Sequence, residues 1–374
     1  MAGDYYIGIM SGTSMDAIDA VVVDFANPKQ AELRASYSLA MPRALQQSLL
    51  ALCHSGDNEV ERIAAAEAAF AEACALVVAE VLAQAQLKAT DITAIASHGQ
   101  TIRHQPQAKP PYTVQIGDPM RLALLTAIPV ISEFRRKDIL LGGEGAPLVP
   151  AYHQAVFARA DQPTAILNLG GIANITWLPG AADAVTGFDT GPANTLLDQW
   201  YQAHHNGQGF DEGGNWAAQG QVHPQLLARL LSDPYFNRQP PKSTGRDDFH
   251  LPWLTAHIQA CGDIAATDVQ RTLVALSAKT VADAVERFLP QQPQRLYVCG
   301  GGALNPLLME ALQQALPRTI TLATTEQLGV EPQWVEAMAF AWLGWCFEHK
   351  KPGNLPAVTG ASSPAILGVK YLPD

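Results

Sequence analysis

The feature that most constrains this chain is a hairpin device used twice. Near the start, the apolar run Tyr5 to Met10 meets the turn Ser11-Gly12-Thr13-Ser14, and the chain returns as the strand Ile18 to Phe25. Far downstream, Ala165 to Leu169 meets Gly170-Gly171 and returns as Ile172 to Leu178. Short polar turns between such runs read as antiparallel hairpins. A third strand, Leu33 to Leu39, follows the first hairpin on a connection too short for a crossover helix, so three antiparallel neighbours precede any helix. A long helix over Val60 to Gln86 and a strand over Ile92 to Ala96 come next. The expected class is α/β with mixed sheets. Two hairpins of like design about one domain apart predict a repeated fold with one Gly/Ser turn from each half at a common cleft; two unrelated Gly-rich hairpins are the plainer alternative.

At 374 residues the chain suits two domains better than one. The expected division is residues 1–127 and 128–354, with the tail 355–374 packing back on the first domain. Helices are expected over Leu196 to Tyr201, Pro224 to Leu231, Leu251 to Ala260, Val269 to Phe288, Asn305 to Ala315 and Pro332 to Phe347, and a strand over Arg295 to Cys299. The 24 Lys+Arg against 35 Asp+Glu give a net charge of −11, which repels nucleic acid and anionic membranes. A phosphate ligand must then be held locally, by backbone N–H groups, a few cations or a metal. The start runs straight into a strand, with no basic segment before an apolar one. The apolar region Ile63 to Ala83 is broken by Glu67, Glu72 and Glu80, which suits an amphipathic helix. A cytoplasmic protein without membrane or nucleic-acid partners is expected. Cys53, Cys74, Cys261, Cys299 and Cys346 have neither disulfide-framework nor zinc spacing.

No segment matches the Gly-x-x-x-x-Gly-Lys-Ser/Thr phosphate loop, and Gly300-Gly301-Gly302-Ala303-Leu304-Asn305 lacks the last Gly of the dinucleotide fingerprint. A strand, three glycines and a helix still leave backbone without Cβ where a flat base or a phosphate can approach. Gly12, Thr13, Ser14, Met15 and Asp16 gather hydroxyls and a carboxylate in the first turn; the donors suit phosphate oxygens, and Asp16 suits Mg²⁺ held directly or through water. An ST-turn capped by Asp16 reads equally well. Asp189 stands between Gly187 and Gly191 at a strand end before a helix, where a lone carboxylate can take a proton from water or a sugar hydroxyl, or cap the helix starting near Asn194. In the polar loop Ser97 to His104, His98 and Gln100 are substrate-pocket candidates, with a structural hydrogen-bonding role as the alternative for the histidine. Phe134-Arg135-Arg136-Lys137-Asp138 is the one basic cluster, suited to a carboxylate or phosphate unless it is solvated surface.

Taken together, these segments resemble the anhydro-N-acetylmuramic acid kinase family along nearly the whole chain. The matching stretches are Gly8 to Asp16, Ser97 to His104, Phe134 to Asp138 with Gly145 to Pro150, Asn168 to Gly171, Phe188 to Pro192, Lys242 to Arg246, Cys299 to Ala303 and Glu336 to Phe340. The resemblance implies two actin-like (ribonuclease H-like) domains with mixed sheets flanked by helices around a central ATP cleft. Gly12 to Asp16, Gly170 and Gly171 then lie near phosphate, and Gly300, Gly301 and Gly302 near the adenosine. Also implied are ATP and Mg²⁺ as cofactors and 1,6-anhydro-N-acetylmuramic acid as substrate. Asp189 matches the family's base, which activates water against the anomeric carbon. His98, Gln100, Arg135 and Glu336 fall at the sugar, N-acetylmuramic acid 6-phosphate is the product, cell-wall recycling the pathway and a homodimer the assembly. Ala17 and Ala193 stand where the family has Gly, which bears on loop conformation if either site needs a positive φ. A non-catalytic sensor of the same fold is the rival, against which Asp189 argues; a carbamoyl-transfer relative would need a paired-His metal motif that this sequence lacks.

Overall fold

The computed structural model describes residues 3–28, 31–159, 162–180, 185–207, 209–245 and 247–374. In chain order it begins with β1 (Tyr5–Met10), β2 (Ala17–Asp24), β3 (Glu32–Ala40), α1 (Arg43–Leu52), α2 (Glu59–Ala85), β4 (Ile92–Ser97), β5 (Gln100–Gln105), β6 (Tyr112–Ile116), α3 (Pro119–Thr126), β7 (Val130–Ser132), α4 (Arg136–Leu140) and α5 (Val149–Phe157). There follow β8 (Thr164–Leu169), β9 (Ile172–Leu178), β10 (Thr186–Pro192), α6 (Asn194–His204), α7 (Pro224–Leu231), α8 (Leu251–Gln259), α9 (Ala266–Phe288), β11 (Arg295–Cys299), α10 (Pro306–Ala315) and β12 (Thr321–Thr324). The chain ends with α11 (Val335–Glu348), α12 (Pro356–Thr359) and β13 (Val369–Tyr371).

Two units divide this chain: one runs to Phe157 and takes in Trp334–Asp374, the other is Ala158–Gln333. The boundary expected at 127/128 falls inside the first unit, because β7 pairs parallel to β4 and β13 pairs antiparallel to β7. Residues 334–354, expected with the second domain, carry α11, whose contacts are with β1, β2 and β4.

In the first unit the strand order is β13-β7-β4-β1-β2-β3. Central β1 is antiparallel to β2 and parallel to β4, and Tyr6 to Met10 are all buried, as befits a strand covered on both faces. Its side chains alternate: Ile7 and Ile9 join the core of Phe70, Cys74, Val77 and Val81 from α2, while Gly8 faces α11. A Cβ on Gly8 would fall inside the Ala337 carbonyl oxygen, so helix and strand meet backbone to backbone there. Gly344 repeats the device one strand over, since its Cβ would lie 2.8 Å from that of Ala96. α11 is buried almost all round, which its run of apolar residues requires.

The second unit has the order β10-β9-β8-β11-β12, with β8 buried along its length, antiparallel to β9 and parallel to β11. Both sheets thus run an antiparallel three-strand meander to one side from its first strand and set two parallel strands on the other, β4 and β7 in the first and β11 and β12 in the second, with β13 an added antiparallel edge. The repeat is one of topology, and it removes the reading of two unrelated hairpins. α9 supplies much of the second core through Leu273, Val274, Leu276, Val281 and Val285. Among the described residues no helix is long and apolar enough to cross a membrane.

The Gly8 contact predicts a sharp contrast between two glycines. Gly8→Ala should destabilise the protein by about 3 kcal/mol or more, since main chain on both sides must move. Gly12→Ala, whose Cβ meets nothing within 4 Å, should leave the thermal midpoint nearly unchanged. Thermal unfolding of the two variants checks this: similar midpoints would mean that the α11 contact is not tight.

Candidate active site

The first turn of β1 and β2 is held from inside. Met15 N–H donates to the Gly12 carbonyl (3.1 Å), Met15 takes φ +56°, and its side chain is fully buried in the core. Only the main chain of Met15 is left at the turn. Gln100, also fully buried, supports the turn: Ser11 Oγ donates to its Oε1 (2.6 Å), and its Nε2 donates to the Gly12 carbonyl (3.1 Å). The Gln100 amide is therefore committed to the turn. Thr13 and Ser14 are half-exposed and Asp16 is exposed, its Oδ1 accepting from Ala17 N–H (3.1 Å). Nearby Asp19 is pushed up to about 6, chiefly by burial, against the lowering effect of the Ser38 hydroxyl and with a smaller push from the Asp16 charge. Ala17 lies in β2 opposite Ala40, and Ala193 has φ −118°, so neither departure from Gly falls at a positive φ.

A second group in the same unit joins His98, Arg135 and α11. Arg135 Nε donates to His98 Nε2 (3.0 Å), and Arg135 Nη1 to the Gly145 carbonyl (2.8 Å). The His98 ring lies 4.7 Å from that of Phe340, which packs in turn on Phe134 at 5.6 Å. Burial, then the Arg135 charge, hold His98 well below the ordinary histidine range, against weaker pulls from main-chain groups of Gly99 and Ser11. A neutral imidazole accepting at Nε2 is the result. Glu336, half-buried in the first turn of α11, sits four residues before Phe340 and hence on the same helix face. Within the cluster at 134–138, Phe134 and Asp138 are buried while Arg136 and Lys137 are exposed. Asp138 Oδ1 accepts from Asn354 Nδ2 (2.7 Å) and Thr359 Oγ1 (2.8 Å), and its Oδ2 from Gly145 N–H (2.8 Å).

Asp189 lies in the second unit, on β10 and 6% exposed. The register passes from Asp189 opposite Asn174 to Gly191 opposite Ala173, so Thr190 is an extra residue and β10 bulges there. Such bulges re-aim side chains at the edges of sites. Gly191, at φ +152°, leaves no room for a Cβ beside Phe236 Cε1 (2.8 Å). Asp189 Oδ2 accepts from Thr244 N–H (3.0 Å), its N–H donates to the Lys242 carbonyl (3.1 Å), and its carbonyl accepts from Tyr235 OH (2.7 Å). The residue before α6 is Ala193, with no side-chain cap, so Asp189 does not cap that helix.

Lys242, which sequence reasoning left without a role, belongs to the segment that is hydrogen-bonded to Asp189. It is 2% exposed, its Nζ donates to the Tyr235 carbonyl (3.4 Å), and the ammonium lies 4.7, 4.8 and 5.8 Å from the rings of Tyr235, Phe288 and Phe188. Burial, with Arg287 and Arg238, brings it down to about 8, and Asp189 pulls it back up. The signal available was Lys242-Ser243-Thr244-Gly245-Arg246, whose Arg246 lies outside the described residues.

The glycine turns divide into packed and open positions. Gly170 accepts from Asn194 N–H (3.1 Å) and Gly171 from Ala193 and Thr195 N–H (3.0 Å each), so the start of α6 fixes that turn. Gly300 takes φ +82° against Leu169, and a Cβ on Gly302 would lie 2.6 Å from Leu169 Cβ and 2.9 Å from its carbonyl oxygen. A Cβ on Gly301 would meet nothing within 4 Å. α10 starts only at Pro306, where Asn305 accepts from Leu308 N–H (3.1 Å), so the glycines form a turn ahead of a helix that is already capped.

Comparison with known proteins covers the whole of this arrangement. The sequence model described as anhydro-N-acetylmuramic acid kinase matches residues 4–373. Proteins of that name from Idiomarina loihiensis and Shewanella amazonensis are 55% and 49% identical over 367 and 371 residues, covering 98% and 99% of each chain. Solved structures are similar more distantly: the ROK family glucokinase from Streptomyces griseus is 15% identical, with 89% of this chain and 97% of that chain covered and a TM-score of 0.37. The chain belongs to the anhydro-N-acetylmuramic acid kinase family and is a phosphotransferase.

Proposed function

We propose that this chain uses ATP and Mg²⁺ to open the C1–O6 bridge of 1,6-anhydro-N-acetylmuramic acid with water and to phosphorylate the freed O6, giving N-acetylmuramic acid 6-phosphate for cytoplasmic cell-wall recycling. The observation that carries this reading is the setting of Asp189. A buried carboxylate on a bulge, steadied at Oδ2 by Thr244 N–H and not spent on a helix cap, suits a general base. Gly12, Thr13, Ser14, the main chain of Met15, Gly170 and Gly171 suit phosphate oxygens, and Gly301 suits the adenosine. His98 and Arg135 line the sugar with Glu336, Gln100 acting through the turn it supports. The exposed Asp16 carboxylate, with the Asp19 charge near enough to repel it, fits Mg²⁺ held through water. The ion offsets phosphate charge when bound.

The anhydro sugar carries no free O6, so phosphorylation cannot precede cleavage of the bridge. Asp189 takes a proton from water as its oxygen bonds to C1; the C1–O6 bond breaks, and O6 takes the γ-phosphoryl group as the bond to ADP breaks. One proton is released for each sugar phosphate formed. A base is needed only for the water.

Asp189→Asn should lower kcat by about 10²-fold or more while ATP affinity stays within about twofold, because the swap keeps size and removes the basic oxygen. Turnover near wild type would sink the assignment. Gly301→Val should weaken ATP binding at an unchanged thermal midpoint, whereas Gly302→Ala should lower the midpoint first, given Leu169 behind it. Calorimetry with ATP and thermal unfolding separate the two; full ATP affinity in Gly301→Val would remove this turn from the site. In ¹⁸O-labelled water, early product should carry the label on its anomeric oxygen and none in the phosphoryl group. Label on phosphorus would mean attack of water on ATP.

A further inference from the structure

The chemistry above makes no use of Lys242, yet the residue is buried and its segment is hydrogen-bonded to the base. The backbone sets the geometry. Asp189 N–H donates to the Lys242 carbonyl at 3.1 Å, and Thr244 N–H donates to Asp189 Oδ2 at 3.0 Å, so the segment carrying Lys242 also steadies the carboxylate. Tyr235 ties the same two residues from the other side: its hydroxyl donates to the Asp189 carbonyl at 2.7 Å, and its own carbonyl accepts from Lys242 Nζ. We propose that Lys242 is a positioning residue for Asp189, holding the 242–244 segment against the bulge and supplying the charge that keeps the carboxylate ionised before substrate binds. This role rests on Asp189 acting as the base.

The side chain's surroundings argue for a need for charge. Three aromatic rings and one hydrogen bond of 3.4 Å among the described residues are a poor exchange for the hydration of an ammonium, and an apolar side chain would fill the cage at lower cost. What such a side chain lacks is a field. Where Asp189 is buried, a cation near it favours the carboxylate over the acid and is little screened. The groups facing Lys242 are Asp189 from β10, Arg238 just after the turn Pro234–Asn237, and Arg287 and Asp283 from α9. The two arginines disfavour its charge and Asp189 favours it, so the ammonium and the carboxylate sustain one another. A cavity of about 40 Å³, lined among others by Lys242, Thr190, Thr280, Asp283 and Arg287, adjoins the cage.

Lys242→Met and Lys242→Ala, compared with wild type over a range of pH, test the role. Loss of the cation should raise the pKa of Asp189, so the acid limb of kcat/KM in Lys242→Met should move up by about one pH unit, with kcat down about tenfold or more and ATP affinity within about twofold. Wild type should also lose kcat/KM above pH about 8 as Lys242 deprotonates, a limb that Lys242→Met should lack. In Lys242→Ala, propylamine should restore kcat by about tenfold and propanol should not. An acid limb that stays in place with a lowered thermal midpoint would reduce Lys242 to a packing residue, as would equal rescue by amine and alcohol. If either variant fails to fold, the wild-type profile still decides: no basic limb overturns the proposal. Asp189→Asn keeps the two readings apart. An active Asp189→Asn removes the base assignment whatever Lys242 does, while an inactive one beside an unmoved acid limb in Lys242→Met removes only the role of Lys242.

Discussion

The first unit hangs on the missing Cβ of Gly8. Because α11 rests on the backbone of β1 there, the register of the helix over the sheet is fixed by main chain on both sides, with no rotamer to absorb a shift. Phe340 is thereby brought to His98, and Glu336 is set one helical turn earlier. The pair His98 and Arg135 then has a single arrangement: a neutral ring accepting from a guanidinium. In the second unit, Gly300 and Gly302 play the same part against Leu169 and leave Gly301 as the open position. Glycine works at these points by permitting contact, and only at Gly300 also by its φ of +82°.

An acidic chain that handles anionic ligands has to supply its cations one at a time. Arg135 is held by a ring nitrogen and a carbonyl, and Lys242 by a carbonyl and three aromatic faces, so neither is a mobile surface charge. Arg135 biases His98 toward the neutral form, and Asp189 favours the charge of Lys242. Net charge says little about groups built in this way, since in each unit one fixed cation weighs more locally than the −11 of the whole chain.

Much of this was legible in the sequence. Short turns between apolar runs gave both hairpins, and 3.6-residue periodicity gave α2, α7 and α9 close to their observed limits. What escaped was non-local. β7 and β13 are three residues each and acquire their identity only by pairing with β4 and with each other, so the segment around β7 was assigned to the second domain, while the tail that carries β13 was expected on the first. Motif residues were visible while their partners were not: Gln100 looks like a ligand-binding amide until its bonds to Ser11 and Gly12 are seen. The Gly300–Gly302 run gives no hint which of its members is open, because that depends on Leu169, far away in sequence.

The clamp at Asp138 bears on how the protein is made. The second unit is one uninterrupted stretch of chain, so its sheet is complete before synthesis ends. The first unit is open at that stage. The helix that covers Gly8, the strand that closes the sheet at β7, and Asn354 and Thr359, which grip Asp138 and through Gly145 steady Arg135, all leave the ribosome after the whole second unit. Until they arrive, β1 and β4 show a bare apolar face, and the half made first is the half finished last.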